Sequence, residues 1–161
     1  MKSYALAAAF SLLALPALAQ NAAQVAHAEA GDSCPHCNLF QANLENKDLR
    51  GCNYNGARLR QADLSLSVFN HNNFAGGDLR DINGYGALFT GANFKNADLT
   101  NATLVGSYLE GANFRGAKLD GVNFSGAEMD KAQGLKQSQL SRACGDEATK
   151  LPRGLHLPSC K

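Results

Sequence analysis

Large apolar residues recur at every fifth position from Leu39 to Met129, and no insertion or deletion breaks the register. Small residues, most often alanine, stand two places before each of them, and Asn or Asp commonly stands one place before. A period of five fits neither the helical period of about 3.6 nor the two-residue alternation of a strand, so each unit must turn the chain once. The Asn, Asp and Gly positions supply the turns, because these residues best tolerate bends and positive φ.

Residues twenty places apart are alike, which indicates that four units make one coil. Positions 54, 74, 94 and 114 are Tyr, Phe, Phe and Phe, whereas positions 39, 59, 79, 99 and 119 are all Leu. Coils of three units would mix these two groups. Gly84 alone breaks the series of large residues, and Ile82 occupies the small position of the same unit. We expect these two sites to have exchanged volume, since a protein interior must be closely packed.

The tandem units, of which Ala92-Asn93-Phe94-Lys95-Asn96 is an example, closely resemble the pentapeptide-repeat family. The resemblance implies an all-β fold, a right-handed quadrilateral parallel β-helix. In such a fold the first and third residues of each unit point inward and the other three point outward. Nineteen units between residues 37 and 131 predict a solenoid of about 4.75 coils, roughly 23 Å tall at a spacing of ~4.8 Å per coil.

The two open ends of a solenoid must be covered, and the flanking segments are predicted to do this. Residues 20–36 are assigned to an N-terminal lead-in or cap, with residues 20–33 as a loose segment. Residues 132–161 are assigned to a C-terminal cap and resemble the tail that follows the repeats in many family members. Within this cap Gln137–Cys144 precedes Gly145, which predicts a short helix with a glycine stop.

The first nineteen residues have the pattern of a secretory signal peptide. Lys2 precedes an apolar run from Tyr4 to Leu15, and Ala17 and Ala19 form a small-x-small cleavage pattern. The apolar run is about half of the roughly 20 residues that cross a bilayer, so no membrane insertion is expected. We therefore predict a periplasmic or secreted protein that is cleaved near Ala19.

Five cysteines follow this segment, in a compartment that permits disulfides, and the odd number leaves at least one thiol unpaired within the chain. Cys144 and Cys160 flank the C-terminal cap and are the better disulfide candidates. Cys34, Cys37 and Cys52 lie near the base of the column, where small buried residues, a disulfide among them, or both would close the lower end. Which of these three is left over stays open.

The sequence Cys34-Pro35-His36-Cys37 also resembles the active site of periplasmic dithiol oxidases, so a thiol-disulfide redox protein is one alternative. No βαβ pattern surrounds the motif, and Cys37 falls on an inward position, which favours a structural role. A zinc site at Cys34, His36 and Cys37 would lack a fourth ligand. Hydrolase and nucleotide-binding motifs are missing from the sequence, so we predict no enzymatic activity, no cofactor and no metal.

Apolar residues at outward positions predict a contact surface about the corner between the second and third sides of the column. They are Leu66, Val68, Tyr85, Leu88, Val105 and Tyr108. Clustered exposed apolar side chains commonly mark a contact with another molecule, here a protein partner or a second copy of the chain. The alternative is that β-branched and aromatic residues simply suit a strand surface.

Without Lys2 the chain has 14 basic and 14 acidic residues, which does not suggest a nucleic-acid partner. The predicted function is therefore a non-enzymatic, exported scaffold for protein interaction or self-association. A second alternative comes from the family resemblance, because its best-known members protect DNA gyrase by resembling DNA. Those members act in the cytoplasm with acidic surfaces, whereas this chain is neutral and has an export signal.

Overall fold

The computed structural model describes residues 21–161, so the predicted signal peptide, residues 1–19, lies outside the described residues. The repeats form a column in which single parallel bridges join residues that are twenty places apart. Four ladders of such bridges define four faces, each named here by its bridged residues. Face 1 contains Asn38, Arg58, Asp78, Asp98 and Lys118; face 2 contains Asn43, Asp63, Asn83, Thr103, Asn123 and Cys144; face 3 contains Asp48, Val68, Leu88, Tyr108, Glu128 and Lys150; and face 4 contains Asn53, Asn73, Asn93, Asn113 and Gln133. The coil of four units expected from the sequence is present.

Each bridge rests on two backbone hydrogen bonds, one to the coil above and one to the coil below. The N–H group of Leu59, for example, donates to the carbonyl oxygen of Asp78 at 2.8 Å, and the N–H group of Asp78 donates to that of Ala57 at 3.0 Å. The fifth residue of every unit from residue 37 to residue 126 has a positive φ. This left-handed residue turns the chain from one face to the next.

The interior contains the first and third residues of the units, as the register predicts. The aromatic residues of face 4 are stacked, with ring centroids 5.6 Å apart for Tyr54 and Phe74 and 5.3 Å apart for Phe74 and Phe94. Ile82 is buried, and a Cβ atom at Gly84 would lie 2.7 Å from Leu104 Cδ2. The space that a large residue would need at position 84 is therefore already filled.

A helix covers the lower end, where the sequence predicted a loose segment and an all-β fold. Helix α1 spans Ala22–Glu29, and the Asn21 side chain caps it by accepting a hydrogen bond from the Gln24 N–H group at 3.2 Å. Val25 and Ala28 are buried against the first coil. The expectation of a loose segment was wrong, because an alanine-rich stretch behind an Asn cap favours a helix once one face is buried.

The upper end mostly continues the column, and only a short part of it is helical. Helix α2 spans only Gln137–Leu140, four residues short of the predicted end at Cys144. Cys144 belongs to face 2 instead, since its N–H group donates to the Val122 carbonyl oxygen at 2.9 Å. Lys150 likewise continues face 3. Within residues 21–161, no helix has the length and apolar character needed to cross a membrane.

Candidate functional site

The six outward apolar residues predicted from the sequence lie together at the corner between face 2 and face 3. Val68, Leu88 and Tyr108 occupy successive rungs of face 3. The other three lie at the turn from face 2 to face 3 in the same three coils. We call the set Leu66, Val68, Tyr85, Leu88, Val105 and Tyr108 the apolar corner.

The apolar corner is open to solvent and carries no charge at its centre. Leu66, Tyr85 and Tyr108 are exposed by 52%, 54% and 45%, and they are the exposed large hydrophobic residues of the described chain. Residues 64–68, 84–88 and 104–108, which form this part of the three coils, include no charged residue. Ion pairs on face 3 lie below and above, Asp48 with Arg50 and Glu128 with Lys150. An apolar centre with a polar rim is the usual anatomy of a protein interface.

Leu66 has a backbone conformation that is costly for its residue type. Its φ is +56°, and every other non-glycine residue with positive φ in residues 21–161 is His, Gln, Asn or Asp. A bulky side chain in this region is uncommon and costs about 1–2 kcal/mol. The turn is fixed all the same, because the Leu66 N–H group donates to the Tyr85 carbonyl oxygen at 2.9 Å. A Cβ atom at Gly86 would lie 3.0 Å from Leu66 Cδ2, so the glycine above leaves room for the leucine.

The three cysteines at the base of the column do not form an open redox site. Cys34 and Cys37 are joined by a disulfide, and both are buried. Cys52 is the free thiol; it is buried, and its Sγ atom lies 3.1 Å from the Gly31 carbonyl oxygen. Burial raises the pKa of the Cys52 thiol, which keeps it protonated and unreactive. Burial also raises the pKa of the neighbouring Tyr54 hydroxyl group.

At the upper end Cys144 and Cys160 form the second disulfide, with Cα atoms 4.8 Å apart. It holds the last residues of the chain against the column, where the Cys160 N–H group donates to the Gly145 carbonyl oxygen at 3.0 Å. In the described part of the chain, His, Cys, Asp and Glu side chains form no group of three or more that could hold a metal ion.

A cleft of about 670 Å³ opens at the corner between face 4 and face 1, just below α2. Its walls include Arg115 and Lys136, together with the apolar side chain of Leu135. We call it the basic cleft. Sequence reasoning did not single out these residues, although the repeat register places Arg115 directly above Lys95 on the same corner.

Comparison with known proteins finds one matching family model and several similar solved structures. A family model described as pentapeptide repeats matches eight copies, over residues 37–83, 69–106, 85–116, 97–133 and 107–144. A pentapeptide-repeat protein of the cyanobacterium Cyanothece 51142 is 27% identical, with a TM-score of 0.50, over 80% of this chain and 97% of that chain. No curated protein matches the sequence.

Two further solved structures are similar over a smaller share of their own length. One is a pentapeptide-repeat protein of the Arabidopsis thaliana thylakoid lumen, 32% identical with a TM-score of 0.34, over 56% of each chain. The other is HetL of Nostoc sp. strain PCC 7120, a protein involved in the regulation of heterocyst differentiation. It is 27% identical with a TM-score of 0.43, over 80% of this chain and 60% of that chain.

Proposed function

The chain belongs to the pentapeptide-repeat family, and we propose that it is an exported, non-enzymatic scaffold that binds protein through the apolar corner. The family and the Cyanothece neighbour imply a right-handed, four-sided β-helix. Pentapeptide-repeat proteins are in general structural repeat proteins. Such a column presents rigid, flat sides, on which a contact surface needs no rearrangement before it binds.

Leu66 is the observation that carries the proposal. A leucine at a left-handed position strains the backbone, and 52% of its surface stays exposed to solvent. Asn46 occupies the same position one coil below with a φ of +57°, so the fold accepts a polar residue there without difficulty. Backbone strain that the fold does not need is typical of functional sites. A partner that covers Leu66, Tyr85 and Tyr108 would account for it.

Two observations support the non-enzymatic part of the proposal. Cys34 is 2% exposed and disulfide-bonded, whereas a catalytic dithiol needs an accessible first thiol. The basic cleft is open, whereas catalytic pockets usually bury most of a small substrate. For export, the support is the pair of disulfides, which persist mainly outside the cytoplasm.

The test uses Leu66→Asn, because this substitution removes the apolar side chain and also relieves the strain. We expect the variant to be as stable as the wild type or more stable, and to lose the protein contact. A second variant, Leu88→Ser with Tyr108→Ser, removes the stacked residues of face 3. Sedimentation equilibrium measures self-association, and quantitative affinity capture from periplasmic extract measures binding to another protein.

The matched control is Phe40→Ser, which removes a half-buried aromatic residue from the corner between face 1 and face 2. We expect it to change neither oligomeric state nor capture. A change in oligomeric state at the apolar corner would identify a second copy as the partner, and a change in capture alone would identify a different protein. If both corner variants behave like the wild type in both measurements, the proposed contact is wrong.

A further inference from the structure

We propose that the basic cleft binds an acidic peptide segment, at the corner diagonally opposite to the apolar corner. The chain passes through faces 1 to 4 in order, so the turn from face 4 to face 1 lies across the column from the turn between face 2 and face 3. The inference does not depend on the apolar corner.

Positive charge is concentrated on this corner although the chain as a whole is nearly neutral. Its outward positions are residues 55–56, 75–76, 95–96, 115–116 and 135–136, which include three cations and no acidic residue. The cations are Lys95, Arg115 and Lys136, and all three are exposed. Such a field attracts negatively charged groups.

These cations are available to a ligand. None of Lys95, Arg115 and Lys136 forms an ion pair with another residue in the described range 21–161. The acidic residues of the neighbouring face 1 already have partners. Asp98 pairs with Lys118 at 3.3 Å, and Asp78 pairs with Arg80 at 2.7 Å.

The backbone of the cleft has an N–H donor to spare, and two carbonyl groups beside it already accept hydrogen bonds. At the same position in the lower coils, the Gly76 N–H group donates to Lys95 and the Asn96 N–H group donates to Arg115, each at 2.9 Å. The ladder ends above Gly116, whose N–H group has no acceptor within residues 21–161. By contrast, Gln139 Nε2 donates to the carbonyl oxygens of Phe114 and Ala117, each at 2.9 Å. The cleft is therefore matched to a ligand that accepts hydrogen bonds.

The remaining walls favour a peptide over a bare anion or a nucleic acid. Leu135 packs partly against the core and offers an apolar surface beside Arg115 and Lys136. Gly134 lies so close to Arg115 that an added Cβ atom would be 2.8 Å from Arg115 Cβ, so a side chain at this position would crowd the cleft. An acidic peptide supplies both a carboxylate and an apolar side chain. A DNA-binding protein makes roughly six to ten contacts with phosphate groups. Three cations are too few to favour a nucleic acid as the ligand.

The experiment measures fluorescence anisotropy with a labelled, end-blocked peptide of sequence Glu-Leu-Glu-Leu-Glu and the purified protein with both disulfides intact. We expect binding that weakens as salt is added, because exposed charges are screened. Arg115→Gln with Lys136→Gln should weaken binding roughly tenfold, as expected for two exposed charge pairs. Both side chains are exposed, so the variant should keep the melting temperature of the wild type.

The control, Arg50→Gln with Lys131→Gln, removes the same charge from the corner between face 3 and face 4, where both cations are ion-paired, and should leave the affinity unchanged. Equal weakening by both double variants would mean a general charge effect and overturn the proposal.

Three other results would also overturn it: no binding by the wild type, equal binding of a Lys-Leu-Lys-Leu-Lys peptide, or tighter binding of a single-stranded DNA oligonucleotide. Displacement of the peptide by inorganic phosphate at equal charge would reassign the cleft to small oxyanions. The Leu66→Asn variant should bind the acidic peptide normally, which separates this proposal from the proposed function.

Discussion

Ser67 occupies an inward position where most units have alanine, and its hydroxyl group is fully buried. In ordinary turns the N–H group of the first residue donates directly to the preceding large residue, as Ala62 does to Leu59 at 2.9 Å. Below Ser67 that direct bond is replaced by a bridge. Ser67 Oγ donates to the Leu44 carbonyl oxygen at 2.6 Å and accepts from the Lys47 N–H group at 2.8 Å.

We predict that Ser67→Ala lowers the free energy of unfolding by about 1–3 kcal/mol, because a backbone donor and acceptor lose their partner. Urea-induced unfolding measures the change. Ser107→Ala is the control, since the Ser107 hydroxyl group donates only to Leu104, within its own turn, at 2.8 Å. Its cost should be smaller than that of Ser67→Ala. Equal costs for the two variants would show that the bridge between coils contributes nothing.

Single residues also show how far the sequence alone could reach. The five-residue register correctly placed the inward residues and the stacking of Val68, Leu88 and Tyr108, because a fixed period determines both. The strain at Leu66 depends on φ, which becomes visible only when the fifth position is known to be left-handed. Lys95 and Arg115 lie in register, but their lack of ion pairs depends on side-chain distances that no periodicity encodes.

At the level of elements, the repeats were predictable and the ends were not. The helix α1 buries only Val25 and Ala28. It is also held by a hydrogen bond between residues fourteen places apart, in which the Asn38 N–H group donates to Gln24 Oε1 at 2.7 Å. Contacts of this kind decide the structure of a short segment more than local propensity does. Helix α2 ends early for a similar reason. Once the helix has ended, Cys144 can form a parallel bridge with Asn123 on face 2.

The two disulfides stabilise different ends of the column by different amounts. Cys144 and Cys160 are separated by 16 residues, whereas Cys34 and Cys37 are separated by 3. In the chain-entropy relation, a longer closed loop removes more freedom from the unfolded chain. We predict that Cys144→Ala with Cys160→Ala lowers the free energy of unfolding by about 3 kcal/mol. Denaturant unfolding under non-reducing conditions measures this loss.

The comparison pair is Cys34→Ala with Cys37→Ala, for which the same relation gives about 2 kcal/mol. Peptide mapping of the wild type under non-reducing conditions should first find both linkages and a free Cys52. Free thiols at Cys144 and Cys160 would contradict the premise, and a larger loss at the base than at the top would contradict the loop-length argument.

At the level of the whole molecule, partly buried carboxylates make the stability depend on pH. Burial alone would raise the pKa of Asp63 and of Asp98, but hydrogen bonds from Ser65 and from Thr100 outweigh it and lower both values. Hydrogen bonds from Arg80 lower the pKa of Asp78. A carboxyl group with a lowered pKa in the folded state stabilises the fold above its ordinary pKa of about 3.9, and this contribution is lost as the pH falls below that value.

We therefore predict that the melting temperature is nearly constant near neutral pH and falls as the pH drops below about 4. Asp63→Asn should lower stability at pH 7 and should differ less from the wild type at pH 3. Asparagine occupies the same position one coil above, at Asn83, so the substitution keeps the shape of the ladder. Asp130→Asn is the control, because Asp130 is exposed and its carboxylate accepts no hydrogen bond from residues 21–161. It should leave the stability at pH 7 close to that of the wild type.

The two proposed binding surfaces lie on opposite corners of one rigid column, so the protein could hold two partners at once. The apolar corner is uncharged at its centre, and the corner that holds the basic cleft has three outward cations and no outward acidic residue. Sites that share no contacts and lie on opposite sides of a packed core should act independently.

We predict that Leu88→Ser with Tyr108→Ser leaves the affinity for the acidic peptide within about twofold of the wild type. Arg115→Gln with Lys136→Gln should likewise leave the protein contact of the apolar corner intact. Anisotropy titrations of both double variants and of their combination complete a double-mutant cycle. A coupling free energy above about 0.5 kcal/mol would show that the column transmits binding from one corner to the other.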